Sequence, residues 1–148
     1  MPTNDLQLLL PSFRVLVEDL VARMRERGFD PKVHETYRSP ERAKLLVLQG
    51  RSRARGLSLH CFGAAADIIS KSRGYEWPEF FRALGDEAKS LGLTWGGDWD
   101  SDPNTPNRFD DRPHVQAIPV RLQDAFRALQ TDGERDRYVR ARLPMRRV

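Results

Sequence analysis

The sequence is poor in the features that would mark a disulfide scaffold, a membrane protein or a repeat array. Its 148 residues include one cysteine, Cys61, so no internal disulfide can form. None is needed at this length, since such a chain can bury about 68–70% of the surface its unfolded form exposes. No apolar run approaches the roughly 18 residues of a membrane span, so no span is expected. The opening MPTNDLQLLLP lacks the basic segment and the apolar length of a secretory leader, which points to synthesis into the cytoplasm. Internal periods and low-complexity tracts are missing too, which excludes solenoid and disordered classes.

What is present fits a single globular domain: 39% of residues are apolar and 31% charged. The net charge of +4 suggests a polyanionic partner. That excess is local. Residues 133–148 hold six arginines against Glu134 and Asp136, which leaves residues 1–132 formally neutral. The expected organisation is one domain over 1–132 and an Arg-rich tail over 133–148. The tail reads either as a tether to an anionic surface or as the solvated face of a C-terminal helix. Arg51, Arg53 and Arg55 give a basic loop, but no nucleic-acid-binding motif accompanies it and no nucleic-acid partner is expected.

Periodicity places helices over 12–27, from Ser39-Pro40 to about Gln49, from Trp77-Pro78 to Gly92, and over about 120–131. Short β-favouring stretches lie at Pro31–Tyr37, 64–70, Leu93–Trp95 and His114–Ile118. Residues 51–58 and 96–111 read as loops, the second long enough to suggest a function. Strands this few and short exclude a doubly wound sheet. The fold class expected is α+β, a small mainly antiparallel sheet flanked by helices.

Of the three histidines, His60 lies just before the strand carrying Asp67, and His114 opens another strand after the long polar loop. Two imidazoles and a carboxylate near strand ends could make a three-ligand zinc site, with a fourth position left for water. The competing reading of each lone His is structural. Asp67 is harder to explain away. Between Ala66 and Ile68-Ile69, a buried carboxylate is costly unless paired or bound to metal.

Ser58-Leu-His60-Cys-Phe-Gly63-Ala-Ala65-Ala-Asp67 fits Ser-x-His-x-x-Gly-x-Ala-x-Asp at every fixed position. Tyr37-Arg38-Ser39 stands upstream, and Trp95-Gly-Gly-Asp98-Trp99 and Asp111-Arg-Pro-His114-Val-Gln116 stand downstream. Over roughly residues 30–118 the chain resembles the VanY-type zinc peptidases, and within them the L-alanyl-D-glutamate endopeptidases of phage endolysins and bacterial wall hydrolases. The resemblance implies the fold of the Hedgehog domain and the D-alanyl-D-alanine peptidases. It implies one zinc per chain on His60, Asp67 and His114, and peptidoglycan stem peptide as substrate. Asp111 would be the general base. Arg38 would face the cleft and hold a substrate carboxylate or the developing oxyanion. Ser58 would support the site by hydrogen bonding, and Asp98 would orient a ligand or line the cleft. Tyr37 belongs to the same set, and Trp95 would form a cleft wall unless it is core.

Some residues depart from the family pattern. Cys61-Phe62 replaces a polar residue followed by Tyr. Cys61 is expected to be a small buried hydrophobe and His34 a structural residue. The aspartates of loop 98–111 do not match an EF-hand. A D-alanyl-D-alanine carboxypeptidase and a non-catalytic zinc module that binds the wall are the competing functions. The endolysin resemblance further implies a holin-type partner that releases the protein from the cytoplasm to the wall, with a virion-associated lysin as the other setting.

Overall fold

The computed structural model describes residues 2–50, 57–99 and 110–143. Most of the basic loop and of the long polar loop therefore lie outside the described residues, as do 144–148.

Helix α1, Pro11–Glu26, turns Phe13, Leu16, Val17, Leu20 and Met24 inward, the three- and four-residue spacing read from the sequence. Strand β1, Pro31–Glu35, follows, and then α2, Pro40–Leu48. The α2 N-terminus is as expected: Pro40 occupies the first turn and the Ser39 hydroxyl accepts from Arg42 N–H. A 3-10 turn, Leu59–Phe62, leads into strand β2, Ala65–Ser70. Helix α3, Pro78–Ser90, buries Phe80, Phe81, Leu84 and Ala88. Strands β3, Thr94–Trp95, and β4, His114–Gln116, flank the long loop. The helix expected over about 120–131 is a 3-10 turn, Val120–Leu122, followed by a short α4, Gln123–Arg127.

The four strands form one sheet in the order β1-β2-β4-β3, with every pair antiparallel. This is the α+β architecture expected. Strand β2 is central and carries almost wholly buried residues. On it, Ile68 is fully buried while Asp67 is only half-buried.

The C-terminal segment is helical, one of its two expected readings, but it is packed into the domain and is no tail beyond it. Asp132–Arg142 forms helix α5, opened by a reciprocal cap between Thr131 and Glu134. It packs on α1, and Val139 and Leu143 enter the same core as Phe13 and Phe126. Asp136 is buried, and its carboxylate accepts from Ser12 N–H at 2.8 Å. Position 10, the α1 N-cap, offers no side-chain cap of its own, so Asp136 supplies one from across the molecule. Several tail arginines are also engaged within the fold. Arg140 pairs with Asp136, Arg142 stacks on Tyr138 and Arg135 lies over Phe62. The boundary expected at 132/133 falls in the first turn of α5. Arginine content hid an apolar stripe of only a few residues.

Candidate metal centre

His60, Asp67 and His114 come together although 54 positions separate the first from the last. The sheet does this directly: Asp67 and His114 are cross-strand partners in the β2–β4 ladder. Opposed residues of an antiparallel pair project from the same face. His60 arrives from the 3-10 turn that precedes β2. The Ser58 hydroxyl caps that turn by accepting from His60 N–H at 3.2 Å. Gly63 closes the turn at φ +68°, and a Cβ there would sit 2.6 Å from the Leu8 carbonyl oxygen. Glycine at this motif position is thus required twice, by the backbone and by the space.

Asp67 Oδ1 lies 3.3 Å from His60 Nε2 and 3.4 Å from His114 Nδ1. Yet His60 Nε2 and Asp67 Oδ1 are both buried and make no hydrogen bond. Buried polar atoms are nearly always partnered, so two adjacent unpartnered atoms aimed at each other fit a cation site. One ligand atom from each of the three residues lies within 4.8 Å of the others, and this set could hold a metal ion.

The far side of each imidazole is fixed. His60 Nδ1–H donates to the Thr36 carbonyl at 2.8 Å, and His114 Nε2–H donates to Gln116 Oε1 at 2.7 Å. Gln116 is itself oriented, because its amide donates to the Ile118 carbonyl and to Gln123 Oε1. Such outer partners set the tautomer and present the other nitrogen as a lone pair. Thr36 and Gln116 were not singled out from the sequence, and nor was Glu35. The Glu35 carboxylate is buried and accepts from Arg38 Nη2 at 2.8 Å and Arg42 Nε at 2.7 Å.

The electrostatics favour a cation. Burial opposes ionisation of Asp67, but the two imidazoles outweigh it and hold the carboxyl well below its usual range. Burial also disfavours a charged His114, but contact with Asp67 and the charge of Asp111 prevail and raise its affinity for a proton. At Asp111, burial and then the Asp67 charge push the carboxyl up to about 6. Asp111 Oδ2 stands 3.9 Å from His114 Nδ1. Its backbone N–H donates to Gly96, where a Cβ would collide with the Asp111 carbonyl. Asp111 also lines a cavity of about 310 Å³ with Tyr75, Phe81, Asp110, Arg112 and Pro113.

The remaining expected site residues are distributed around this group. Arg38 is buried, with Nη2 3.7 Å from Asp67 Oδ2. Its Nε has no hydrogen-bond partner among the described residues. Tyr37 is half-buried beside it. Trp95 packs against Gly85 of α3, and its Nε1–H donates to the Arg112 carbonyl at 2.7 Å, so it braces the approach to His114. Trp99 is the aromatic residue on the ligand, its ring 4.8 Å from that of His114. Half-exposed Asp98 pairs with Lys89 at 3.1 Å, and Asp110 pairs with Arg112. Cys61 is half-buried, burial raises its thiol pKa, and the residues grouped closely enough to share a metal among the described residues are His60, Asp67 and His114. Phe62 packs on Phe126 and under Arg135. His34 lies against Tyr75.

Comparison with known proteins agrees with this geometry. The D-alanyl-D-alanine carboxypeptidase profile of peptidase family M15 matches residues 51–117. The peptidoglycan L-alanyl-D-glutamate endopeptidase CwlK of Bacillus subtilis (strain 168) is 30% identical over 135 residues, covering 75% of this chain and 74% of that protein. The chain belongs to peptidase family M15. Members of this family depend on a metal, and the three convergent side chains could hold one. An L-alanyl-D-glutamate peptidase of Listeria phage A118 is 33% identical over 94 residues, which is 60% of this chain. The M15 chain spans about a third (31%) of that phage protein's length. Among solved structures, the Serratia marcescens L-Ala D-Glu endopeptidase ChiX matches with TM-score 0.53 at 26% identity, over 81% of this chain and 86% of that one. The LD-carboxypeptidase LdcB matches with TM-score 0.54 at 21% identity, over 89% and 78%, which supports the fold. No helix among the described residues is long and apolar enough to cross a membrane.

Proposed function

We propose that this chain is a zinc-dependent peptidase that hydrolyses the L-alanyl–D-glutamate bond of peptidoglycan stem peptides. The observation that carries the reading is the orphaned pair His60 Nε2 and Asp67 Oδ1 beside His114 Nδ1, with Asp111 at the edge of the group. His60, Asp67 and His114 would hold one zinc, an ion suited to two nitrogens and a carboxylate oxygen. Zinc bound there supplies a Lewis acid and an acidified water. Asp111 accepts a proton from the attacking water and returns it to the leaving amine as the C–N bond breaks. Arg38, whose Nη2 lies 3.7 Å from Asp67 Oδ2, is the cation assigned to a substrate carboxylate or to the developing oxyanion. Ser58 steadies His60, Trp95 braces the segment that carries Asp111, and Tyr37 and Asp98 are assigned to substrate contact or support.

The endopeptidase activity is supported by the names of the Bacillus, Listeria phage and Serratia relatives. The setting proposed is that of an endolysin, held in the cytoplasm until a holin-type partner admits it to the wall, or carried on the virion; one relative is a phage L-alanyl-D-glutamate peptidase.

Digestion of purified murein tests the reading. The wild-type chain should contain one zinc and generate new N-terminal D-glutamate, and His114→Ala should do neither. Release of free D-alanine alone would replace the endopeptidase with a carboxypeptidase. A metal-free, inactive wild-type chain would overturn the reading altogether.

A further inference from the structure

Strand β1 pairs with β2 in a register that changes once. Val33 opposes Ile68, and then Glu35, two residues on, opposes Asp67, one residue on. His34 is the extra residue of a β-bulge. The consequence is directional, because a bulge re-aims the side chains beyond it. Without the insertion, position 34 would face Asp67. With it, Glu35 takes that place, on the face where the three ligands converge.

A carboxylate 2% exposed is costly unless its charge is matched. Glu35 is matched by two guanidinium groups, Arg38 at 2.8 Å and Arg42 at 2.7 Å. The Arg38 nitrogen that binds Glu35 is also the one 3.7 Å from Asp67 Oδ2. The two oxygens of Asp67 therefore have separate surroundings. Oδ2 faces Arg38, and Oδ1 faces the nitrogens of His60 and His114. The same stretch reaches His60 as well. The Thr36 carbonyl accepts from its ring, and Arg38 N–H donates to the His60 carbonyl at 3.2 Å.

We propose that Glu35 is a positioning residue for the metal centre: delivered by the His34 bulge, it fixes Arg38, which holds Asp67 so that Oδ1 points at the ion. Arg42 closes the clamp from the rim. This inference rests on the reading that His60, Asp67 and His114 bind zinc.

The test is zinc affinity of the full chain, measured by competition with a chromogenic chelator, beside the denaturation midpoint of the metal-free protein. Glu35→Gln should raise the zinc Kd about 10–100-fold, the range for a group that orients a ligand from outside. Glu35 and Arg38 should also be non-additive: Glu35→Gln should add little to the loss already caused by Arg38→Gln. A purely structural Glu35 would lower the midpoint and leave the zinc Kd unchanged, and that result overturns the proposal. If Glu35→Gln does not fold, Arg42→Gln at the partly exposed end decides. It should raise the Kd about two- to fivefold, as expected for losing a partly exposed ion pair, and an unchanged Kd again overturns the proposal. A wild-type chain that binds no zinc would refute the metal site itself. Tight wild-type binding that Glu35→Gln leaves intact would refute only the role given to Glu35.

Discussion

Gln116→Leu tests whether the orientation of His114 depends on a side chain to which the sequence assigned no role. The wild-type amide oxygen accepts the ring Nε2–H at 2.7 Å, and Gln116 itself is 1% exposed. Leucine fills similar space and offers no acceptor. In this buried position the ring N–H loses its partner, at a cost of about 1–3 kcal/mol. That penalty falls on the liganded state, because zinc on Nδ1 obliges the proton to stay on Nε2. The metal-free ring can escape by moving its proton to Nδ1 and turning toward Asp67. The cost therefore appears in binding, as a zinc Kd raised about 5–150-fold, taking 1.4 kcal/mol per factor of ten. The assay is chelator competition at neutral pH on folded protein. Gln123→Leu is the control: its side-chain oxygen accepts from the Gln116 amide at 2.9 Å, one step further from the ring, and its loss should change the Kd less. A Gln116→Leu chain that folds and binds zinc within twofold of wild type would refute the reasoning.

Three other outcomes are expected. Asp111→Asn should keep its zinc and lose about 10²–10⁴-fold in kcat on a soluble stem peptide, and near-normal turnover would remove it as the base. Asp136→Ala uncaps α1 from α5; losing a charge-assisted bond to Ser12 N–H costs about 1.5–3 kcal/mol, a drop in Tm of about 3–12 °C by thermal melting. Hydrogen bonds from Ser72 and Ser70 hold Asp30 down to about 2. Its folded pKa lies below the unfolded value near 3.9, so its contribution is complete above about pH 4 and fades as pH falls toward 2. The metal-free wild type should therefore lose urea resistance in that window more steeply than Asp30→Asn.

The ligands were legible because their types are unusual where they stand. A carboxylate inside Ala-Ala-Asp-Ile-Ile demands an explanation, and separated blocks supplied a consistent one. The helix ends at Ser39-Pro40 and Gly28 were legible because capping and chain reversal depend on nearby residues. Gln116, Thr36 and Glu35 were hidden because their roles come from placement. Glu35 reaches the ligand face only through the extra residue at His34, and nothing in Val-His-Glu-Thr reveals a bulge. Thr36 acts through its backbone carbonyl, which any residue has. The docking of helix α5 on the core was hidden for a compositional reason. Its arginines dominate the count, whereas Asp136 and Val139, the residues that join it to the core, are single positions among them.

The pairing of Asp67 with His114 also bears on how the fold is reached. A slip of one residue between β2 and β4 would send one of the two ligands to the opposite face. An ion that recognises both therefore binds only chains whose central ladder has closed in register, and by mass action it draws the population toward them. The metal would then act during folding as a check on sheet alignment, rewarding the one pairing that also builds the reactive centre. Refolding with zinc present should accordingly yield fewer misaligned, aggregation-prone chains than refolding with a chelator.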